Sequence, residues 1–310
     1  MSIKQHRTIR DIPLEESLTA GTMLCAGCGG VLLVRILEKM LGPAVVTVNA
    51  AGCMSMISVY PYTPFKSSWF YVAMPSAPAA AQGIRDALDI LIEKKRISRE
   101  QDLKVLVVTG DGAAADIGLQ STSGALHRKL DFYYLVYDNE AYSNTGFQAS
   151  GSSPYGSNTK TTSPGSMAPQ GLSLDKKDLF EIWRAHRPPY IATVSPAHIA
   201  DMMQKIETAS QFRGPKLFIA LSPCPPGWSI DSDKVIRVSK MAVETGVWPL
   251  KEAIDGRVKH TVMMRSNRRP LEEYLRMQGR FEHLFEPVLQ ENVLKELQKK
   301  VDDYWASVSG

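Results

Sequence analysis

Apolar positions along the chain follow two alternating rhythms. Over residues 29–41, Val31, Leu32, Ile36, Leu37 and Met40 recur at the three-to-four spacing of a helix, whereas residues 44–49 form a short β-branched run suited to a strand. The change of period then repeats. Residues 77–95 predict a helix opened by small side chains and closed by Lys94, Lys95 and Arg96, cations that suit a helix C-terminus. Residues 104–109 predict a buried strand, 119–129 a helix and 132–137 a second buried strand. Further on come a helix over 177–185, a strand over 190–194, a helix over 197–212 and a strand over 217–221. Continuous apolar strands separated by helices predict the α/β class, with a parallel sheet covered on both faces.

Residues 143–176 interrupt this rhythm with Ser, Thr, Gly and Pro. Such a composition suits a flexible linker. The stretch lies inside an α/β pattern that resumes after it, however, and a long loop within a domain is usually functional. The pattern predicts one α/β domain over 1–232 and a C-terminal extension over 233–310. The extension carries a Lys- and Arg-bearing segment and a helix over 287–305, with Pro287 suited to the first helical position.

Composition narrows the class. At 310 residues, 44% hydrophobic and 22% charged, the chain is that of a globular protein able to bury a large core. No uncharged apolar stretch approaches the roughly 20 residues that span a bilayer, and the first residues lead into no signal region, so the expectation is a cytoplasmic protein without a membrane partner. The net charge of +4 is spread among acids, which argues against nucleic acid.

Two constellations carry candidate chemistry. All 4 cysteines sit beside Gly or Pro or in glycine-rich turns: Cys25 and Cys28 as a Cys-x-x-Cys, Cys53 one helix and one strand later, and Cys224 far downstream. In a compartment that keeps thiols reduced, this points to one metal site, and spacing alone leaves structural zinc and iron-sulfur both open. The second constellation is Gly110-Asp111-Gly112 directly after one predicted strand, with Asn139 directly after the next. In a parallel strand-helix-strand unit both residues return to the carboxyl edge, where open α/β sheets bind ligands. A carboxylate, an amide oxygen and a backbone carbonyl are hard donors for Mg²⁺, and flanking glycines with a helix N-terminus let backbone N–H groups approach a phosphate. That is the pattern of thiamine-diphosphate enzymes. His127 and His186, at or near predicted helix ends, read as solvated, and Arg265, Arg268 and Arg269 as a surface that either meets a partner or faces water.

The longer string Asp138-Asn139-Glu140-Ala141-Tyr142-Ser143-Asn144-Thr145-Gly146 narrows the match. Together with Asp116-Ile117-Gly118, Ser153-Pro154-Tyr155-Gly156, Thr161-Thr162-Ser163-Pro164 and Tyr274-Leu275-Arg276-Met277-Gln278-Gly279-Arg280-Phe281, it resembles the β subunit of 2-oxoacid:ferredoxin oxidoreductases over most of the chain, most nearly the pyruvate-type branch.

The resemblance implies a thiamine diphosphate-binding fold and three groups: thiamine diphosphate, Mg²⁺ and one 4Fe-4S cluster. It assigns Cys25, Cys28, Cys53 and Cys224 to the cluster, and Asp111, Asn139 and the Ala141 carbonyl to Mg²⁺. Gly52, Cys53, Gly110, Asp111, Gly112, Ala113, Asn139, Asn144 and Thr145 line the cofactor, and Asn144 faces the thiazolium and the acid as the catalytic contact. The implied reaction is oxidative decarboxylation of a small 2-oxoacid, with electrons passed to ferredoxin and, in pyruvate-type enzymes, the acyl group to coenzyme A. The glutamate that activates the aminopyrimidine in this family has no counterpart here. The chain is therefore expected to work only with other subunits of the α, γ and δ type. It departs from the family at Met74-Pro75-Ser76-Ala77, where pyruvate-type relatives typically show Phe-Glu-Asn-Ala. A lost carboxylate favours a more anionic substrate, which keeps oxalate beside pyruvate. A non-redox thiamine decarboxylase or synthase subunit would share Asp111 and Asn139 but not the cysteines. A zinc-stabilised scaffold would share only the cysteines.

Overall fold

A computed structural model describes residues 8–264 and 268–309. The elements run α1 (Gly29–Leu41), β1 (Val45–Ala50), β2 (Ser68–Val72), α2 (Ala77–Glu93), β3 (Lys104–Gly110), α3 (Leu119–His127), β4 (Phe132–Asp138), α4 (Leu179–Arg184), β5 (Tyr190–Val194), α5 (Ile199–Ala209) and β6 (Pro215–Leu221). After them come α6 (Pro225–Trp228), α7 (Val235–Glu244), β7 (Lys251–Ile254), β8 (Arg257–His260), α8 (Leu271–Leu275) and α9 (Glu291–Ser309).

The strands form one sheet in the order β2-β1-β3-β4-β6-β5-β7-β8. The first six are parallel to their neighbours, and β7 and β8 close one end as an antiparallel hairpin. Side chains alternate between two buried layers, as the strand period of two requires. Along β4, Phe132, Tyr134 and Val136 pack into the layer of α2, α3, α4, α7 and α9, whereas Tyr133, Leu135 and Tyr137 pack into that of α1 and α5. No helix among the described residues is long and apolar enough to cross a membrane.

Three elements differ from the sequence expectation. Strand β2 has only one neighbour and three of its five residues exposed, so it carries no buried apolar run. The extension beyond 232 is not purely helical: β7 and β8 add two strands, joined by Asp255-Gly256 with both residues at positive φ, as a tight hairpin turn demands. Helix α9 begins at Glu291 and not at Pro287, which follows a cis peptide bond; the first turn is anchored by Leu294 N–H donating to the Gln290 carbonyl.

Strand register places the site. Asn49 pairs with Val108, Gly110 with Tyr137, and Asp138 with Leu221. The segments that leave β1, β3, β4 and β6, which carry Cys53, Asp111, Asn139 and Cys224, therefore emerge on one carboxyl edge, where open α/β sheets take ligands.

Candidate active site at the carboxyl edge of the sheet

The helical backbone starts at Asp111, immediately after β3, and passes through one π-helical turn (Ala113–Ile117) into α3. The Asp111 carboxylate is fully buried. One of its oxygens accepts from Ser150 Oγ. The other lies beside the Asn139 amide. With its nitrogen turned inward that amide donates to Asp111 Oδ1 at 3.0 Å, Ala141 O at 2.8 Å and Ser143 Oγ at 2.9 Å. Turned the other way, the amide oxygen joins Asp111 Oδ1 and Ala141 O, so that three oxygens converge. A hydrogen-bonded amide and a cation are alternative ways to satisfy that convergence. Burial and the nearby Asp138 charge push the Asp111 carboxyl well above the ordinary range.

Close packing fixes this geometry. A Cβ on Gly112 would lie 2.3 Å from the Tyr142 ring, whose hydroxyl donates to Gly112 O at 3.2 Å and Asp116 Oδ2 at 3.1 Å. On the neighbouring turn, a Cβ on Gly52 would meet Tyr137 Oη at 2.6 Å. The turn Gly52-Cys53 thus lies directly over β4.

Behind Asn139 runs a chain of charges, buried except for the half-buried Lys176. Lys176 Nζ reaches Asp138 Oδ2 at 2.7 Å and Glu140 Oε1 at 2.9 Å, and Arg280 reaches Glu140 Oε2 at 2.6 Å while stacking 3.7 Å from the Trp228 ring. The indole of Trp228 donates to Asn139 O at 2.9 Å. Burial alone would raise the Glu140 carboxyl, but Lys176 and Arg280 outweigh it and hold Glu140 below its usual value; burial would likewise lower Lys176, but Asp138 and Glu140 hold it up. Two cations and two anions balance around a backbone that places Glu140 at positive φ.

The 143–176 segment is folded onto this edge. Its backbone bonds to Phe147 and Arg280 carbonyls from Lys160 and Asn158, Ser153 Oγ donates to Glu140 O at 2.6 Å, and Ser152, Ser153, Ser157 and Thr159 are buried. Asn144 and Thr145 are exposed at its start; Thr145 bonds Tyr142 O at 3.3 Å, and Asn144 has no hydrogen bond among the described residues.

The thiols form the second set of candidate donors. All four are free, with Cys25 exposed and Cys28, Cys53 and Cys224 partly buried. Burial and then the charges of Cys224, Cys28, Cys25 and Asp111 push the Cys53 thiol up to about 12, and burial likewise raises Cys28 and Cys224. The field of the neighbouring thiols thus reaches Cys28, Cys53 and Cys224. Among the described residues, however, no three His, Cys, Asp or Glu side chains stand in a ready metal geometry. Burial keeps the thiols of Cys28, Cys53 and Cys224 protonated, so binding a metal there would release protons. Their donor chemistry nonetheless fits a cluster of cationic irons.

Sequence reasoning missed Ser150, Tyr142, Lys176 and the role of Arg280, all of which support the site through contacts distant in sequence. His127 and His186 are exposed. Arg268 pairs with Asp302, and Arg269 with Glu244 and Glu273, within the chain; Arg265 lies outside the described residues.

The fold and this edge define a class. A family model described as the thiamine pyrophosphate enzyme C-terminal TPP binding domain matches residues 50–220, the span from β1 to β6 that contains Asp111 and Asn139. Pyruvate synthase subunit PorB of Methanocaldococcus jannaschii is 38% identical over 95% of this chain and 97% of that protein, and its counterpart from Methanothermobacter marburgensis 41% over 96% and 97%. Ketoisovalerate oxidoreductase subunit VorB of Pyrococcus abyssi is 38% identical over 93% of both chains. The chain belongs to this family of thiamine diphosphate-dependent 2-oxoacid:ferredoxin oxidoreductase β subunits. In fold it is similar to a 2-oxoglutarate:ferredoxin oxidoreductase of Magnetococcus marinus, with a TM-score of 0.56 at 20% identity over 73% of this chain and 72% of that one.

Proposed function

We propose that this chain is the cytoplasmic subunit that holds the thiamine diphosphate of a hetero-oligomeric oxidoreductase for a small 2-oxoacid, with pyruvate as the first reading. The observation that carries it is the convergence of Asp111 Oδ1, Ala141 O and the Asn139 amide at the start of a helix. Asp111, Asn139 and Ala141 O would hold Mg²⁺, and the backbone of Gly110, Gly112 and Ala113 would meet the diphosphate where the helix dipole favours negative charge. Cys25, Cys28, Cys53 and Cys224 would hold one 4Fe-4S cluster. When bound, the thiamine supplies the carbon nucleophile for decarboxylation and the cluster a one-electron acceptor.

The chain's own residues orient and shield. Tyr142 and Ser150 fix Asp111 and its helix, Trp228 fixes the Asn139 carbonyl, and the 143–176 segment covers the edge. Asn144 and Thr145, at the exposed opening, would face the thiazolium and the acid, the Asn144 amide donating to developing negative charge. Gly52 and Cys53 would bring the cluster beside the cofactor. Electrons would leave to ferredoxin through partner subunits, and coenzyme A would take the acyl group.

Oxalate is the second reading. The Met74–Ser76 turn packs against the Asp111 helix: a Cβ on Gly118 would lie 3.4 Å from Pro75 Cα. A carboxylate missing there lowers the negative charge near the site. Turnover of the assembled enzyme on pyruvate and on oxalate, with and without coenzyme A, tests both readings. Coenzyme A-dependent use of pyruvate supports the first and coenzyme A-independent use of oxalate the second. Activity confined to 2-oxoglutarate or branched acids removes both.

A further inference from the structure

A second cavity lies on the far side of the Asp138–Lys176–Glu140 charges, between β7, α4, α8 and α9. Its volume is about 410 Å³, within the range of small-ligand sites. Phe180, Trp248, Leu271, Val301 and Tyr304 give it largely apolar walls, and Val247, 36% exposed, stands at the mouth.

Lys251 projects into this space from the start of β7. The residue is only 6% exposed, and its Nζ lies 4.3 Å from the centre of the Phe180 ring and 5.2 Å from that of Tyr304. The other lysines lining the cavity are all neutralised: Lys176 by Asp138 and Glu140, Lys177 by Asp116, and Lys300 by Asp175 and Glu296. Lys251 has no carboxylate at ion-pair distance and no hydrogen-bond acceptor for its ammonium among the described residues. Of the acids in reach of its field, Asp178 caps α4 by accepting from Glu181 N–H at 3.0 Å, and Glu181 is paired with Arg184.

An ammonium on a largely buried residue that meets only ring faces and the cavity is under-satisfied by the protein, because cation–π contacts replace part of its hydration and none of its hydrogen bonds. Among the lysines lining the cavity, the one without a carboxylate partner faces a largely apolar wall, an arrangement complementary to one anionic group on an apolar body. We infer that this cavity is a binding site for a small monocarboxylate with an aliphatic or aromatic body, its carboxylate on Lys251 and its body between Phe180, Trp248 and Tyr304. The site is separate from the proposed cofactor edge, and the inference does not depend on the proposed reaction.

Calorimetric titration of the full chain with octanoate tests it. The expected result is one saturable site on the wild-type chain, weakened at least tenfold by Lys251→Met, which removes the charge and keeps most of the unbranched side chain. Val247→Phe, which narrows the mouth from a partly exposed position without disturbing the core, should weaken binding to a similar extent and serves if the first variant folds poorly. An absence of saturable binding to the wild-type chain, or octanoate affinity unchanged in Lys251→Met, would overturn the inference.

Discussion

The oxygen donors around Asp111 and the thiols around Cys53 share one edge of the sheet, but the chain holds them to different degrees. Asp111, Asn139 and Ala141 are buried, hydrogen-bonded to one another and backed by the Asp138–Lys176–Glu140–Arg280 charges. The cysteines occupy glycine- and proline-flanked turns, and Cys25 is exposed. One region is preorganised by the core. The other carries its donors on turns, with burial raising the thiols of Cys28, Cys53 and Cys224.

Substitutions should separate the two regions, and the largest effect belongs to the thiols. Cys53→Ser is expected to remove most of the iron and lower turnover of the assembled enzyme roughly a hundredfold or more, while the iron-free variant unfolds at the same denaturant midpoint as the iron-free wild type. A fall in that midpoint would show that the thiol region is preorganised after all. Next comes Arg280→Met, which strips buried Glu140 of one of its two cationic partners and leaves it only Lys176. It should cost about 3–5 kcal/mol in denaturant unfolding, and Glu140→Gln in the same chain should recover part of that loss.

Glu38 offers a smaller test on the thiol side, since it lies in α1, the helix capped by Cys28. Burial raises its carboxyl from 4.5 to about 7, against a hydrogen bond from Thr47 that lowers it. The folded chain therefore keeps this proton where the unfolded chain has released it, and stability falls as pH rises from about 4.5 through 7. Glu38→Gln should be more stable than wild type at pH 8 by about 2–3 kcal/mol and nearly equal at pH 4, as read from urea midpoints. The smallest effect is expected for Tyr142→Phe. Losing the hydroxyl that spans Gly112 O and Asp116 should cost about 1 kcal/mol and weaken diphosphate binding several-fold without changing iron content.

What was legible in the sequence follows the same division. Strands β3, β4, β5 and β6 are buried on both faces and so appear as continuous apolar runs, and Asp111 and Asn139 stand at the ends of two of them. Strand β2, at the sheet edge, has no such run. The Asp255-Gly256 turn did carry a readable hairpin signal, obscured by the short, charged strands on either side. Glu140 and Arg280 meet across most of the chain, a pairing that no local pattern contains. The pattern identified the four cysteines but could not give their spacing in space, because no apolar periodicity fixes the turns that carry them.

The most direct measurement compares thiamine diphosphate binding and iron content in anaerobically purified wild-type chain and Asp111→Ala. The expected result is a brown wild-type chain with iron for one four-iron cluster and Mg²⁺-dependent diphosphate binding, and a variant that loses that binding but keeps the iron. A colourless, zinc-loaded wild-type chain, or diphosphate affinity that survives Asp111→Ala, would contradict it.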